Sequence, residues 1–329
     1  MKTMQNELLE WYAKNHRDLA FRKDQDAYKI WISEIMAQQT RIEAMLPYFE
    51  RFLILFPNLT ALANADDEAL HKAWQGLGYY SRCRNLKKCA IECMKRFHGE
   101  LPKTKAELKT LPGIGEYTAG AIASIAYKEK VSAIDGNVIR VFSRLYDIQE
   151  DVTSIKTRRK IESLVDRSLV QPIDQYNQAI MELGALICIP KVPKCSACPI
   201  REFCQASDPA SLPIKPEKKK RKKEKKVLYV WVHDGRVHLN KRKATGLLAN
   251  MYEFDEKLPA HYESVVSLGE YTHIFSHVEW EMQANLVYTN KEDSGFYAMD
   301  EIENEIALPS AFKPFYERLK EVIFDEEKN

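Results

Sequence analysis

At 329 residues, with 45% apolar and 10% aromatic side chains, the chain can bury the cores of two or three domains, which excludes a disordered or fibrous polypeptide. The net charge of +2 conceals a split, since residues 227–329 carry 10 Lys+Arg against 19 Asp+Glu while residues 1–226 carry 39 against 28. A basic front part suits a phosphate backbone. No apolar run reaches the length of a signal peptide or membrane span, so no membrane partner is expected. Seven cysteines without an export signal point to a reducing compartment, cytoplasmic (nucleoid-associated) or, in a eukaryote, nuclear.

Leu8, Leu9, Trp11 and Tyr12 mark a short amphipathic helix ending near Asn15 and His16. Ala27 to Gln39 reads as a helix with Ile30, Trp31, Ile35 and Met36 on its buried side. Glu34 sits among those apolar residues, so it either caps something structural or is a carboxyl kept protonated by desolvation. Pro47, Pro57 and Pro102 punctuate further helices, and Asn58 and Asp66-Asp67 supply capping residues. Gly76-Leu-Gly-Tyr-Tyr-Ser-Arg82 is a tyrosine-rich loop, followed by a Lys/Arg-rich helix on which Cys83, Cys89 and Cys93 are packing residues.

Leu111-Pro-Gly-Ile-Gly-Glu-Tyr-Thr-Ala-Gly120 separates the end of one helix, Ala106 to Lys109, from a small-residue helix, Ala119 to Ala126. Pro112, Gly113 and Gly115 give a compact hairpin in which the glycines take positive φ. Its outward amides suit a phosphate, although an ordinary αα-hairpin gives the same pattern. Asp135-Gly-Asn-Val-Ile-Arg140 then opens another helix. No alternating strand pattern occurs before about residue 226, so this part reads as all-α.

Cys188, Cys195, Cys198 and Cys204 follow a C-x6-C-x2-C-x5-C spacing, and Pro190, Pro193 and Pro199 make the segment a loop. Four such thiolates bind zinc or an iron–sulfur cluster. Lys215 to Lys226 holds nine basic residues in twelve and no apolar side chain, which reads as a solvated linker; a nuclear-localisation signal is the alternative. Beyond it, Val227 to Val232, Asp234-Gly235 and Arg236 to Leu239 give a β-hairpin signal. Val265 to Leu268 and Asn285 to Tyr288 add strands, and Phe312 to Val322 a closing helix, for a small α+β domain.

The hairpin with its following Asp closely resembles the helix-hairpin-helix signature of the DNA glycosylase superfamily, and the cysteine spacing resembles the 4Fe–4S loop of its endonuclease III and MutY branches. Bifunctional members carry a lysine where this chain has Tyr117, so the resemblance is to a monofunctional MutY-type adenine glycosylase that uses water. It implies Glu34 as general acid, Asp135 as the second carboxylate, and Tyr117 and Asn137 lining the same site, with Glu34 needing a raised pKa and Asp135 an ordinary one. Gly113 and Gly115 would meet the DNA backbone and Arg22 would lie near the adenine pocket, while Phe21 stands where the family commonly has Trp. Gln39, Leu77 and Tyr79 resemble duplex-intruding wedges.

Gly246 to Phe254 resembles the degenerate Nudix-like region of the same family, without the acidic series that binds Mg²⁺ in true Nudix hydrolases. Phe275-Ser276-His277 matches the loop that reads 8-oxoguanine. The implied architecture is a multidomain chain: an all-α catalytic region at 1–212, a basic linker at 213–226 and a Nudix-like domain at 227–329. Within the catalytic region, 26–128 would form a six-helix domain and 1–25 plus 129–212 a cluster domain. The implied enzyme is a monomer that binds a 4Fe–4S cluster and double-stranded DNA with an A:8-oxoguanine or A:G mispair. The rivals are a thymine or oxidised-pyrimidine glycosylase of the same superfamily and a non-catalytic DNA-bound redox sensor.

Overall fold

The computed structural model describes residues 2–217, 220–290 and 294–326. The helical part runs α1 (Met4–Asn15), α2 (Ala27–Ala37), α3 (Ile42–Leu55), α4 (Leu59–Ala63), α5 (Asp67–Trp74), α6 (Tyr80–Arg96), α7 (Lys105–Leu108), α8 (Glu116–Tyr127), α9 (Gly136–Leu145), α10 (Ile155–Ser168) and α11 (Ile173–Leu186). Caps fall where the residue types place them: Thr3, Asp26, Asn58, Asp66, Asp135 and Ser154 each accept a first-turn amide. Pro47 does not end a helix as its type leads one to expect. It lies inside α3, near the start, where its missing N–H removes a single intrahelical bond.

The chain divides into two compact units: residues up to Asn64 with Asn85–Glu217, and Ala65–Arg84 with the chain from residue 218 onward. The first unit is helical. Trp31, Ile32, Ile35 and Met36 of α2 are buried, as are Ala119, Ile122 and Ala123 of α8, on which α2 packs. Small residues let that packing happen. A Cβ on Gly120 would meet Ser132 O at 2.1 Å, and one on Gly184 would stand 2.6 Å from Asn137 Cβ, so α11 approaches the start of α9 only because residue 184 has no side chain.

The second unit holds a five-stranded sheet in the order β5 (Ser264–Ile274), β6 (Val278–Tyr288), β1 (Lys222–His233), β2 (Arg236–His238), β7 (Phe296–Tyr297), with a separate pair β3 (Asn240–Lys241) and β4 (Tyr252–Glu253). The hairpin turn at Asp234 and Gly235 has φ of +46° and +70°, the geometry a two-residue β-turn needs. Leu228, Val230 and Val232 alternate inward from β1 against Trp280, Met282, Ala284 and Leu286 of β6. Helices α12 (Met299–Asn304) and α13 (Lys313–Glu326) follow, and Phe315 and Leu319 of α13 close that core.

Two boundaries differ from the sequence reading. The basic stretch ends as a linker at Arg221, because Lys222 to Lys226 belong to β1 and pair in parallel with β6. Acidic neighbours make that strand tolerable: Lys223 reaches Glu279 at 3.2 Å and Glu281 at 2.8 Å, and the Lys226 ammonium lies 4.7 Å from the Trp280 ring centroid. Lys218 and Lys219 lie outside the described residues. The six-helix domain read at 26–128 is also interrupted, since Ala65–Arg84 groups with the C-terminal unit. There Lys72 donates to the carbonyls of Ile302 and Ile306 at 3.0 and 2.9 Å, and Gln75 to that of Leu308 at 2.8 Å, satisfying acceptors in the last turn of α12 and just beyond it.

Candidate active site

Within the helical unit a cavity of about 1110 Å³ is lined by Glu34, Tyr117, Asp135 and Asn137 together with Arg22, Gln39, Gly113 and Gly115. Helices α2, α8 and α9 thus deliver to one place groups that are a hundred residues apart in the chain.

Glu34 points from the buried side of α2 and accepts a hydrogen bond at Oε2 from the Tyr117 hydroxyl. Burial raises its pKa, and the charge of Asp135 adds to that rise; the Tyr117 hydrogen bond and the Arg22 charge oppose it. Burial and both carboxylates hold the Tyr117 phenol well above its ordinary value, so it stays a donor. Its oxygen also lies 3.5 Å from Met181 Sδ.

Asp135 caps α9. Its Oδ1 accepts the Val138 amide at 2.8 Å and its Oδ2 the Asn137 side-chain amide at 2.6 Å. These donors favour the anion, yet burial outweighs them and the pKa is raised rather than ordinary as the sequence reading had it. The asymmetry between the two carboxyls survives in another form: Asp135 is surrounded by donors and Glu34 by a single phenol.

Gly113 has φ +76°, and a Cβ there would stand 2.7 Å from Asn85 Cβ, so this position requires glycine. Gly115 does not share the reason expected for it. Its φ of −90° and ψ of −178° are open to any residue, and it serves as the N-cap of α8 without a side chain to occupy the first-turn amides.

Sequence reasoning missed Glu182. This carboxylate is fully buried in α11 and accepts from Arg17 Nε at 2.7 Å and from Arg22 Nη1 at 2.8 Å. Burial pushes its pKa up, but the bonds and charges of the two arginines win and bring it to about 2. Arg22 is therefore held by a carboxylate as well as facing the cavity. The legible signal was the pair Arg17 and Arg22 itself, two cations beside an apolar core that require a counter-charge. Arg158 and Lys215 also line the cavity, the latter from the stretch assigned to the linker. The pairing of Val152 N with Ile214 O at 3.1 Å holds that stretch on the helical unit.

The four cysteines of the loop lie together: Cys188, Cys195 and Cys204 are near enough to Cys198 for their charges to act on it. Arg144, buried in α9, donates to Cys188 Sγ at 3.2 Å and to Ile189 O at 2.8 Å. Among the described residues no three His, Cys, Asp or Glu side chains are grouped so as to hold a single metal ion. Nor is any helix among them long and apolar enough to cross a membrane.

The remaining residues lie in the second unit. Leu77 is buried while Tyr79 is 44% exposed, so of these two expected wedges only Tyr79 stands out. Phe275, Ser276 and His277 form the turn between β5 and β6. Ser276 and His277 are exposed and 3.2 Å apart, whereas Phe275 packs edge-on to Trp280 with centroids 4.8 Å apart.

Residues 32–167 match the HhH-GPD superfamily of base excision DNA repair proteins, and residues 226–318 match the NUDIX domain. The adenine DNA glycosylase of Mus musculus is 41% identical over 210 residues, which cover 60% of this chain and 41% of the mouse protein. That of Buchnera aphidicola subsp. Schizaphis graminum is 37% identical over 261 residues, covering 76% of this chain and 75% of that protein. The chain thus spans about two fifths of the length of the mammalian relatives it matches. Among solved structures, a thermostable thymine-DNA glycosylase aligns with a TM-score of 0.56 at 23% identity, over 61% of this chain and 93% of that one, and shares the fold.

Proposed function

This chain belongs to the adenine DNA glycosylase family, and we propose that it is a monofunctional adenine DNA glycosylase, hydrolysing the N-glycosidic bond of adenine mispaired with 8-oxoguanine or guanine in base excision repair. The observation that carries the reading is the pair Glu34 and Asp135, two carboxyls lining one cavity, the first bonded by a single phenol and the second by a side-chain amide and a backbone N–H.

Adenine leaves poorly as an anion. A carboxyl whose pKa is raised by burial, as that of Glu34 is, keeps a proton to place on N7, and the base then departs neutral. The sugar left behind is an oxocarbenium-like cation, which the Asp135 carboxylate stabilises before water adds at C1′. Tyr117 occupies the hairpin position from which a lysine would attack, and a phenol forms no Schiff base, so base loss proceeds without strand cleavage. The uncapped amides after Gly115 are donors for a backbone phosphate.

Cys188, Cys195, Cys198 and Cys204 would hold a 4Fe–4S cluster. The neighbouring sulfurs and the guanidinium of Arg144 at Cys188 fit an anionic, thiolate-bound group. Such a cluster supplies a rigid cross-link for a loop that carries Lys191, Lys194 and Arg201 towards DNA. The second unit would read the base opposite adenine through Ser276 and His277, which have free hydrogen-bonding capacity at an exposed turn.

The test is single-turnover base release from duplexes that differ only in the base opposite adenine. Adenine should appear from the 8-oxoguanine and guanine duplexes, and strands should break only after alkali. Release of thymine or an oxidised pyrimidine instead would transfer the chain to another glycosylase class. Analysis of anaerobically purified protein should find iron and sulfide; stoichiometric zinc without iron would remove the cluster.

A further inference from the structure

Arg82 is a half-buried guanidinium that the chemistry above leaves unused. Its Nη2 donates to Leu77 O and to Gly78 O, both at 3.1 Å. Its Cζ lies 5.3 Å from the Trp74 ring centroid and 5.5 Å from that of Tyr79. Trp74 Nε1 donates to the same Gly78 carbonyl at 3.0 Å. All five residues belong to the Ala65–Arg84 segment of the second unit.

The backbone these groups hold is an unusual one. Gly76, Gly78 and Tyr79 have φ of +103°, +69° and +49°. For Tyr79, which has a Cβ, the left-handed region is strained, so surrounding contacts must enforce it. Arg82 supplies them on both sides, through two carbonyls of the loop backbone and through the ring of the residue under strain. What the loop presents is Tyr79, 44% exposed, while Leu77 is tucked in.

We propose that Arg82 is the positioning residue for Tyr79: it locks the Gly76–Tyr79 backbone and holds the phenol ring outward, so that a duplex meets a preformed aromatic wedge. This rests on the adenine glycosylase reading, which needs a side chain to fill the gap left by an extruded base. A wedge fixed in advance loses less entropy on insertion than one ordered by the DNA. Lysine cannot replace arginine here: one guanidinium nitrogen bonds both carbonyls while the flat face of the group lies against two rings, and an ammonium has no such plane.

A double-mutant cycle read in affinity separates this role from that of a fold staple. The parent is the Glu34→Gln chain, which should bind without releasing base, and the readout is its affinity for an A:8-oxoguanine duplex relative to A:T at one salt concentration. Arg82→Lys should reduce that preference about tenfold, yet by less than about twofold when Tyr79→Ala is already present. Should Arg82→Lys fail to fold by circular dichroism, Trp74→Phe, which deletes the N–H to Gly78 and keeps a ring, takes its place in the cycle. Equal losses in both backgrounds, or an unchanged preference, would overturn the positioning role. A parent with no preference for mispaired adenine would instead sink the glycosylase reading, and this inference with it.

Discussion

Asn137 orients Asp135. Arg140 Nη2 donates to Asn137 Oδ1 at 2.8 Å, and because a guanidinium can only donate, the other end of the amide must turn its N–H₂ to Asp135 Oδ2, 2.6 Å away. The amide is thereby fixed as a donor to the carboxylate. Arg140 is in turn tied to Cys188 O at 2.7 Å and Gly184 O at 2.7 Å.

Replacing Asn137 by Leu should therefore cost rate without abolishing it, by about 10²-fold in single-turnover adenine release, with duplex affinity nearly unchanged. Asn137→Asp should be worse, because it sets a second carboxylate against the first. Near-normal release by Asn137→Leu would reduce this contact to helix capping.

Glu34→Gln removes the transferable proton while keeping the shape of the site, and release should fall at least about 10²-fold. The same change should stabilise the fold. A buried acid whose pKa is raised above its ordinary 4.5 destabilises the native state as pH climbs past that value, since only the unfolded chain ionises freely. Thermal unfolding of Glu34→Gln should thus occur at higher temperature than wild type at pH 8 and at the same temperature near pH 4. A variant that is less stable at pH 8 contradicts the protonated assignment.

The pH–rate profile should be bell-shaped, falling on the alkaline side as Glu34 loses its proton and on the acid side as Asp135 gains one. The Asp135 charge helps hold the proton on Glu34, so the residual activity of Asp135→Asn should have its alkaline limb moved to lower pH. A limb that stays in place, or moves up, would mean the two carboxyls do not sense each other.

Glu182→Gln takes the buried anion away from two partly buried guanidiniums, and a loss on the order of 3 kcal/mol is expected. With a folded pKa of about 2 against an ordinary 4.5, Glu182 contributes stability that is full above pH 4.5 and vanishes as pH falls towards 2. The gap in midpoint between wild type and variant, followed by urea unfolding, should accordingly close on acidification. A gap independent of pH would assign the effect to packing.

Changing Phe275, Ser276 and His277 together to Ala should lower the preference for 8-oxoguanine over guanine by the equivalent of one or two hydrogen bonds, about 1–3 kcal/mol, while adenine release opposite guanine persists. Substitution tests this better than truncation at residue 227 would, because β1 begins at Lys222 and the carbonyls that pair with Lys72 and Gln75 lie beyond the cut. Unaltered discrimination would leave the turn as mere loop packing.

Residue identity and local order determined much of this protein. Helix α2 with its apolar face, the hairpin around Gly113, the cap at Asp135, the four-cysteine loop and the Asp234-Gly235 turn all rest on interactions within a few residues, so the chain declares them unaided. Other features depend on what arrives from elsewhere. Lys222 to Lys226 become a strand because Glu279 and Glu281 come alongside, and Ala65–Arg84 joins the C-terminal unit, where carbonyls at and beyond the end of α12 need donors. Glu182 meets Arg17 and Arg22 across about 160 positions, which no local pattern announces. The raised pKa of Asp135 belongs to the same class: its donors are local and readable, but the burial that overrides them is a property of the packed molecule.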